Sequence, residues 1–453
     1  MKEITNELKI YELSKIWEEA AYNFAFWDKV DIDWDAEYKK ALVRVLETKD
    51  AYEYYRELTR FLALLGDGHT DVCFPNEIRQ DPEFYSMFPI LLSKLGDQFV
   101  LVHTSEALVD KVPLYSVLTK VDGTDIYDYL RKNCYPYFWH ANEAACGLFA
   151  INSLVFGRHG SSAVLTFEKN GRQFEIPLVR KDPSKIVWRK PDGFSPAVSL
   201  REVSRSDVHS VSVTEDQIAI IRIASFMDNS IIEKIYSCFD ELKNAKGYII
   251  DIRLNTGGNS GNGDAIAALF IQGEFRSCLA ETQVYEPTYK AWANGREDFR
   301  GLSPDEADQK YAGDSESLKT FRNAKNMFYV RSDGQVVNDT APGKLSGPVV
   351  VLMNEGTVSA AEDFVDVMKM YTDAVFIGNY TAGTSGQPLN VKLESGGVFR
   401  ICTRRCIAQN GEDIYNKGFA PDIRLIPTIE SLEEKRDIVF EKGLEVIREK
   451  IAK

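Results

Sequence analysis

The chain has 453 residues, 44% of them hydrophobic and 27% charged, with a formal net charge of −14. That length suits roughly three domains, and the composition is that of a folded protein with material for more than one core. The acidic balance argues against a nucleic-acid partner, whose footprint on a protein is a basic patch.

Seven cysteines are dispersed without a CxxC pair, and of five histidines none stands in an HExxH spacing. Free buried thiols fit this pattern better than a disulfide framework. Neither a transition-metal site nor another cofactor is expected. No apolar run reaches membrane-spanning length, and the opening Met-Lys-Glu-Ile-Thr-Asn-Glu lacks the apolar stretch of a signal peptide. The expectation is a cytoplasmic protein without a membrane span, or a periplasmic or extracellular one if the sequence has been trimmed.

Residues 1–80 predict a helical region. Ile4, Leu8, Tyr11, Ile16, Trp17, Ala20 and Phe24 mark one amphipathic stripe, and Leu42, Val45, Leu46, Tyr52, Tyr55, Leu58, Leu62 and Leu65 a second. The second stripe runs into Gly66-Asp67-Gly68-His69-Thr70, where two glycines end the helix in a tight loop. Segment 85–182 changes to short strands at 99–103, 117–121, 163–168 and 172–179, with a helix at 125–132. Lys169-Asn170-Gly171 is a hairpin signal. This reads as a small α+β module.

Residues 183–215, with Pro183, Pro191, Pro196 and many serines and charges, predict a linker. The signal then becomes α/β: strand 218–223, helix 231–242, buried strand 248–252, helix 264–271 and strand 349–353 with a helix behind it. Such alternation predicts a layered, mostly parallel sheet over 216–430. The interval 275–345 is long, polar and poorly patterned, and reads as an excursion or lid over that core. Residues 431–453 close the chain as a helix.

Chemistry concentrates in three places. Val349-Val350-Val351-Leu352-Met353 reads as a strand buried on both faces, and Ser359 stands at the start of the helix that follows. A hydroxyl there is exposed at a strand end beside free first-turn N–H groups, as a nucleophile needs; it is equally a favoured helix cap. Asp251-Ile252-Arg253-Leu254-Asn255-Thr256-Gly257-Gly258 is a strand running into a Gly-rich loop. Without GxxxxGK[ST] or GxGxxG it is an oxyanion hole or a structural turn. His69 is a lone loop histidine, by itself more often a surface or capping residue.

The succession strand–Arg-x-Asn-x-Gly-Gly, strand–Asn-Glu-Gly-Thr-Val-Ser-Ala-Ala-Glu, Ile-Gly-Asn-Tyr-Thr-Ala-Gly-Thr (377–384) and Gly-Phe-Ala-Pro-Asp-Ile (418–423) resembles the S41 peptidases. These comprise the carboxy-terminal processing proteases and the tricorn core protease. The resemblance covers about 216–425. It implies a ClpP/crotonase-like α/β core, a PDZ-like module at 85–182 and a peptide or unfolded-protein substrate. It also implies Ser359 as nucleophile, with Gly257 or Gly258 and the Ala360 amide as oxyanion hole. The processing proteases place a lysine where this chain has Thr384, so a Ser–Lys dyad is absent. The tricorn-like branch uses a histidine from an Asp-x-His-like turn, which His69 matches. That branch also carries a serine and a glutamate where Gly68 and Tyr415 stand here, leaving Glu412 or Asp67 as the third member. The implied activity is peptide-bond hydrolysis near substrate C-termini by Ser–His acyl transfer. The alternative is a degenerate S41-like scaffold that binds peptides or other ligands, and the missing GxSxG elbow disfavours an unrelated esterase or amidase.

Overall fold

The computed structural model describes residues 4–138, 141–190, 198–325, 328–384 and 386–453. At the amino-terminal end, Thr5, Asp33 and Asp50 cap helices Asn6–Asn23, Trp34–Glu47 and Ala51–Ala63, each side chain accepting a first-turn N–H. Leu13, Ile16, Ala20, Leu58 and Leu62 share one core with Phe399 and Ile401 from the far end of the chain. The buried Glu12 carboxylate accepts from the Tyr54 hydroxyl at 2.9 Å and from the Ser395 N–H and hydroxyl at 2.7 Å each. A buried charge so fully hydrogen-bonded ties the helices to that distant segment. The strand Asp71–Cys73 completes the tie by pairing antiparallel with Val398–Ile407, Asp71 opposite Arg400. The Arg400 guanidinium forks onto Asp71 at 2.6 and 2.9 Å. His69 lies in the loop that this pairing holds.

Strands Ile90–Leu95, Gln98–Thr104, Val117–Val121, Ser162–Lys169 and Arg172–Val179 form an antiparallel sheet. Helices Ile126–Asn133 and Glu143–Val155 belong to the same unit, contributing Leu130, Ile151 and Leu154 to its core. Asn170 and Gly171 both take positive φ (52° and 73°), the two-residue turn that their sequence predicts.

Among the described residues the main sheet has seven strands. From Ile218–Ile223 through Gly247–Asp251, Val349–Met353 and Val375–Gly378 to Ile423–Arg424, neighbours pair parallel. Val349, Val351 and Met353 join one core with Phe364, Val365 and Met368 of helix Ala360–Tyr371. Val350 and Leu352 join another with Leu444 and Ile447 of helix Ile438–Ile451. Burial on both faces explains why this strand reads as one continuous apolar run. Arg253 bolts the layers together by forking onto Asp251 and Asp437.

Two expectations change. The segment expected as a linker supplies strands Leu200–Arg205 and His209–Thr214, which extend the main sheet antiparallel. The first is an exposed edge strand, so its polar composition resembles a loop; Pro191 and Pro196 lie outside the described residues. The interval 275–345 is more than a lid. Its strands Leu279–Val284 and Phe328–Ser332 continue the antiparallel sheet built on Val398–Ile407. Helices Pro304–Lys310 and Ser315–Ala324 add a small core of Phe299, Ala307, Tyr311 and Phe321. All seven cysteines are free thiols. No described helix is long and apolar enough to cross a membrane.

Candidate active site

Ser359 sits where the Val349–Met353 strand turns into its helix, and the turn is stitched to the neighbouring strand end. Asn354 Oδ1 accepts the N–H groups of Leu254 and Gly356, the Thr357 hydroxyl donates to the Ile252 carbonyl, and Val358 N–H donates to the Asn255 carbonyl. The result forces Ser359 to φ 57° and ψ −126°, outside the extended conformation of an ordinary N-cap. Such a conformation costs about 1–3 kcal/mol for a residue with a side chain. This strained strand–turn–helix junction presents the hydroxyl as an elbow does, although the GxSxG spacing is missing.

Gly257 presses on the same junction. A Cβ there would lie 2.6 Å from the Val358 carbonyl oxygen, 2.8 Å from Ser359 Cβ and 2.9 Å from Ala360 N, at φ +85°. Only glycine fits so close an approach. Its N–H is already given to Asn255 Oδ1 at 2.9 Å. Among the described residues no group accepts the N–H of Gly258, which lines the cleft, or that of Ala360, the first residue of the helix. Of the three expected oxyanion donors, Gly258 and Ala360 are therefore available, and Gly257 serves as the close-packed neighbour.

His69 comes from the other end of the chain. Asp67 Oδ2 accepts the His69 N–H at 3.0 Å and the Thr70 hydroxyl at 2.6 Å, while Thr70 Oγ1 accepts the Cys402 N–H. The Tyr415 hydroxyl donates to the Gly66 carbonyl at 2.7 Å. Held this way, His69 Nε2 lies 2.9 Å from Ser359 Oγ. Its Nδ1 is buried with no hydrogen-bond partner among the described residues.

The structure does not bring Glu412 to His69. Glu412 is exposed, its N–H on Asn410 Oδ1, in a loop that faces outward with Asp413 paired to Lys29. Asp67 stays close: one of its carboxylate oxygens lies within 4.8 Å of a His69 ring nitrogen. Its hydrogen bonds go to the loop rather than to the ring.

The residue that sequence reasoning missed is Glu362. Fully buried, its carboxylate accepts from Ser359 N–H (3.2 Å), the Thr381 hydroxyl (2.6 Å), Gly383 N–H (2.7 Å) and Thr384 N–H (2.8 Å). Thr384, standing where a dyad lysine would, is thus spent on holding this carboxylate. The signal was legible as the Ser-x-x-Glu spacing of a capping box.

Burial and then the Arg400 charge lower the His69 imidazole from the ordinary 6.5 to about 3. Burial raises Asp67 from 3.8 to about 6, against the hydrogen bonds from Thr70 and the His69 N–H. At neutral pH the ring is therefore neutral, able to accept a proton, with an ionised carboxylate nearby. The acid limb of a kcat/KM profile, measured with a fluorogenic peptide, is expected below pH 6.5, at or under the value of about 6 at which Asp67 takes up its proton. A limb at 6.5 or above would show a solvated histidine. Stability follows from the same shift. Between about 3 and 6.5 the unfolded chain takes up a proton at His69 that the folded chain refuses, so this group costs stability as pH falls through that window. Asp67 acts oppositely between 3.8 and about 6, where the folded chain holds the extra proton.

A cleft of about 920 Å³ runs over these groups, with His69, Gly258, Ser359, Asp264, Arg400 and Arg404 in its wall. Asp264 is raised to about 7, by burial first and by the Asp363 charge second.

Residues 217–425 match peptidase family S41. The carboxy-terminal processing protease CtpA of Bacillus subtilis (strain 168) is 23% identical over 212 residues, 46% of this chain and 35% of that protein. The solved structure of mature CPAF complexed with lactacystin is similar with a TM-score of 0.67 at 18% identity, covering 99% of this chain and 100% of that one. That likeness shows the fold, a mixed α/β architecture. The chain spans less than half the length of the curated relatives it matches first.

Proposed function

We propose, from the premise that this chain belongs to peptidase family S41 through residues 217–425, that it is a serine peptidase hydrolysing peptide bonds. One observation carries the reading: a histidine and a serine 290 positions apart meet at 2.9 Å, Nε2 to Oγ. His69 takes the Ser359 proton as Oγ attacks the scissile carbonyl. The N–H groups of Gly258 and Ala360 receive the oxyanion, and His69 then protonates the leaving amine. Water repeats the cycle on the acyl-enzyme. Asp67 assists His69 by charge and by fixing its backbone, in place of the hydrogen-bonded carboxylate of an ordinary triad.

The relative's name, a carboxy-terminal processing protease, supports extending the reading to cleavage near substrate C-termini. The antiparallel sheet and two helices of 85–182 support a PDZ-like module beside a ClpP/crotonase-like core. A substrate of extended, unfolded chain suits a cleft of this size better than a folded surface does.

Labelling with a fluorophosphonate tests the assignment, because only an activated serine reacts. The expected result is a single adduct on Ser359 that disappears in Ser359→Ala. An unlabelled native protein, or an adduct that survives in Ser359→Ala, overturns it.

A further inference from the structure

One side-chain cluster in the cleft has no part in the acyl-transfer scheme. Cys278, immediately before strand Leu279–Val284, and Cys406, within Val398–Ile407, come from paired strands with Ala280 opposite Cys406. Their Sγ atoms lie 3.7 Å apart. Asp363, in the first turn of the helix that Ser359 opens, brings a carboxylate oxygen so that all three donor atoms lie within 4.8 Å of one another. All three residues line the cleft.

We propose that Cys278, Cys406 and Asp363 form a binding site for a thiophilic divalent cation such as Zn²⁺, and that the bound ion blocks the catalytic cleft. The sulfur spacing, at present that of a hydrogen bond from the Cys278 thiol to Cys406 Sγ, is also the spacing a metal needs. Two thiolates on a tetrahedral zinc stand about 3.8 Å apart, given Zn–S bonds of ~2.3 Å, whereas a disulfide requires ~2.05 Å. Two soft sulfurs with one carboxylate select zinc or cobalt over magnesium or calcium. Three protein ligands leave a tetrahedral ion one open position, and all three of these residues line the cleft. The carboxylate is also oriented: the Ser260 hydroxyl donates to Asp363 Oδ2 at 2.6 Å, the outer support that metal-binding carboxylates use. Sequence spacing hides the site because its ligands come from three separate elements.

Position gives the site its consequence. Asp363 is four residues after Ser359, hence on the same helix face one turn along. An ion held there occupies the space beside the nucleophile that a peptide must enter. The inhibitory part rests on the serine-peptidase reading; the binding part does not.

The test is a Co²⁺ titration of the full-length reduced protein, read by the sulfur-to-cobalt charge-transfer band in the near ultraviolet. The band is expected to saturate at about one equivalent and to vanish in Cys278→Ser/Cys406→Ser. It is expected to weaken with about tenfold poorer affinity in Ser260→Ala and to persist in Cys402→Ser. The last variant separates this site from the other donor cluster, Asp67, His69 and Cys402. Zn²⁺ should displace Co²⁺, raise the thermal midpoint of the native protein, and suppress fluorophosphonate labelling in proportion to its occupancy. Labelling of the double variant should be the same with and without Zn²⁺.

No band, a band that survives the double substitution, or one that disappears in Cys402→Ser overturns the site. Binding without loss of labelling overturns the inhibition. A native protein that never labels, even without metal, refutes the serine reading while leaving the Co²⁺ result to judge the site.

Discussion

Ser359→Ala and His69→Ala are each expected to lower kcat by roughly 10³–10⁶-fold, with the double variant no worse than the more damaged single one. On the proposed mechanism the two groups act as one device. Without the hydroxyl there is nothing for the base to deprotonate, and without the base the hydroxyl is a poor nucleophile. Backbone donors remain in either variant, because the N–H groups of Gly258 and Ala360 do not depend on the two side chains. A residual rate above the uncatalysed one should therefore survive. The depressed His69 value sharpens the expectation. A ring with no partner on Nδ1 among the described residues gains its charge during attack with the help of the oxyanion that forms beside it. Asp67, ionised above about 6, offsets the rest. If the two substitutions add in kcal/mol, the residues work independently and the dyad is wrong. Stability gives a second arm. Ser359→Gly removes the strain of a side chain at φ 57°, so it should be more stable than Ser359→Ala by about 1 kcal/mol while equally inactive.

How far the sequence could be read depended on where each residue finds its burial. Val349–Met353 was legible because both faces of the strand are covered and every position is apolar. Leu279–Val284 was not, because both its sheet partners, Phe328–Ser332 and Val398–Ile407, lie far along the chain. His209–Thr214 alternates buried and half-buried residues over most of its length, in a segment with many serines and charged residues and with prolines at its start, so composition outweighed periodicity. Ser359 itself was ambiguous because a cap and a nucleophile share the same local pattern. What separates them is a backbone angle, and no residue type announces that angle when it is not glycine. Glu412 is close to Tyr415 in sequence but not in the direction it faces. The chain reverses there, and Tyr415 turns inward to Gly66 while Glu412 turns to solvent. His69 became meaningful only through resemblance, since its contact with Ser359 spans most of the chain.

Glu362 carries the other large expected effect. Its Oε1 accepts from Thr381 and Gly383, and its Oε2 from Thr384 and Ser359. Glutamine has the same shape but replaces one oxygen with an NH₂ that can only donate. Turned one way, that NH₂ faces the Gly383 N–H; turned the other, it faces the N–H groups of Thr384 and Ser359. Either choice orphans at least one buried backbone donor, a cost that stands although burial raises the Glu362 carboxyl against its hydrogen bonds. Glu362→Gln should therefore lose about 3 kcal/mol in denaturant unfolding. It should also slow fluorophosphonate labelling, because the 381–384 loop and the Ser359 amide are held by the same group. Asp366, one turn further along the helix, provides the contrast. It accepts the Gln409 N–H, interacts with that residue's side chain, and is raised by burial to about 7, so it already carries a proton much of the time near neutrality. Asp366→Asn should then cost less than about 1 kcal/mol and leave labelling unchanged. Equal losses in the two variants would mean that Glu362 is merely another buried acid on this helix. A large loss confined to Glu362→Gln would show that this carboxylate, with the Asn354 and Thr357 contacts, helps to hold the strained backbone at Ser359.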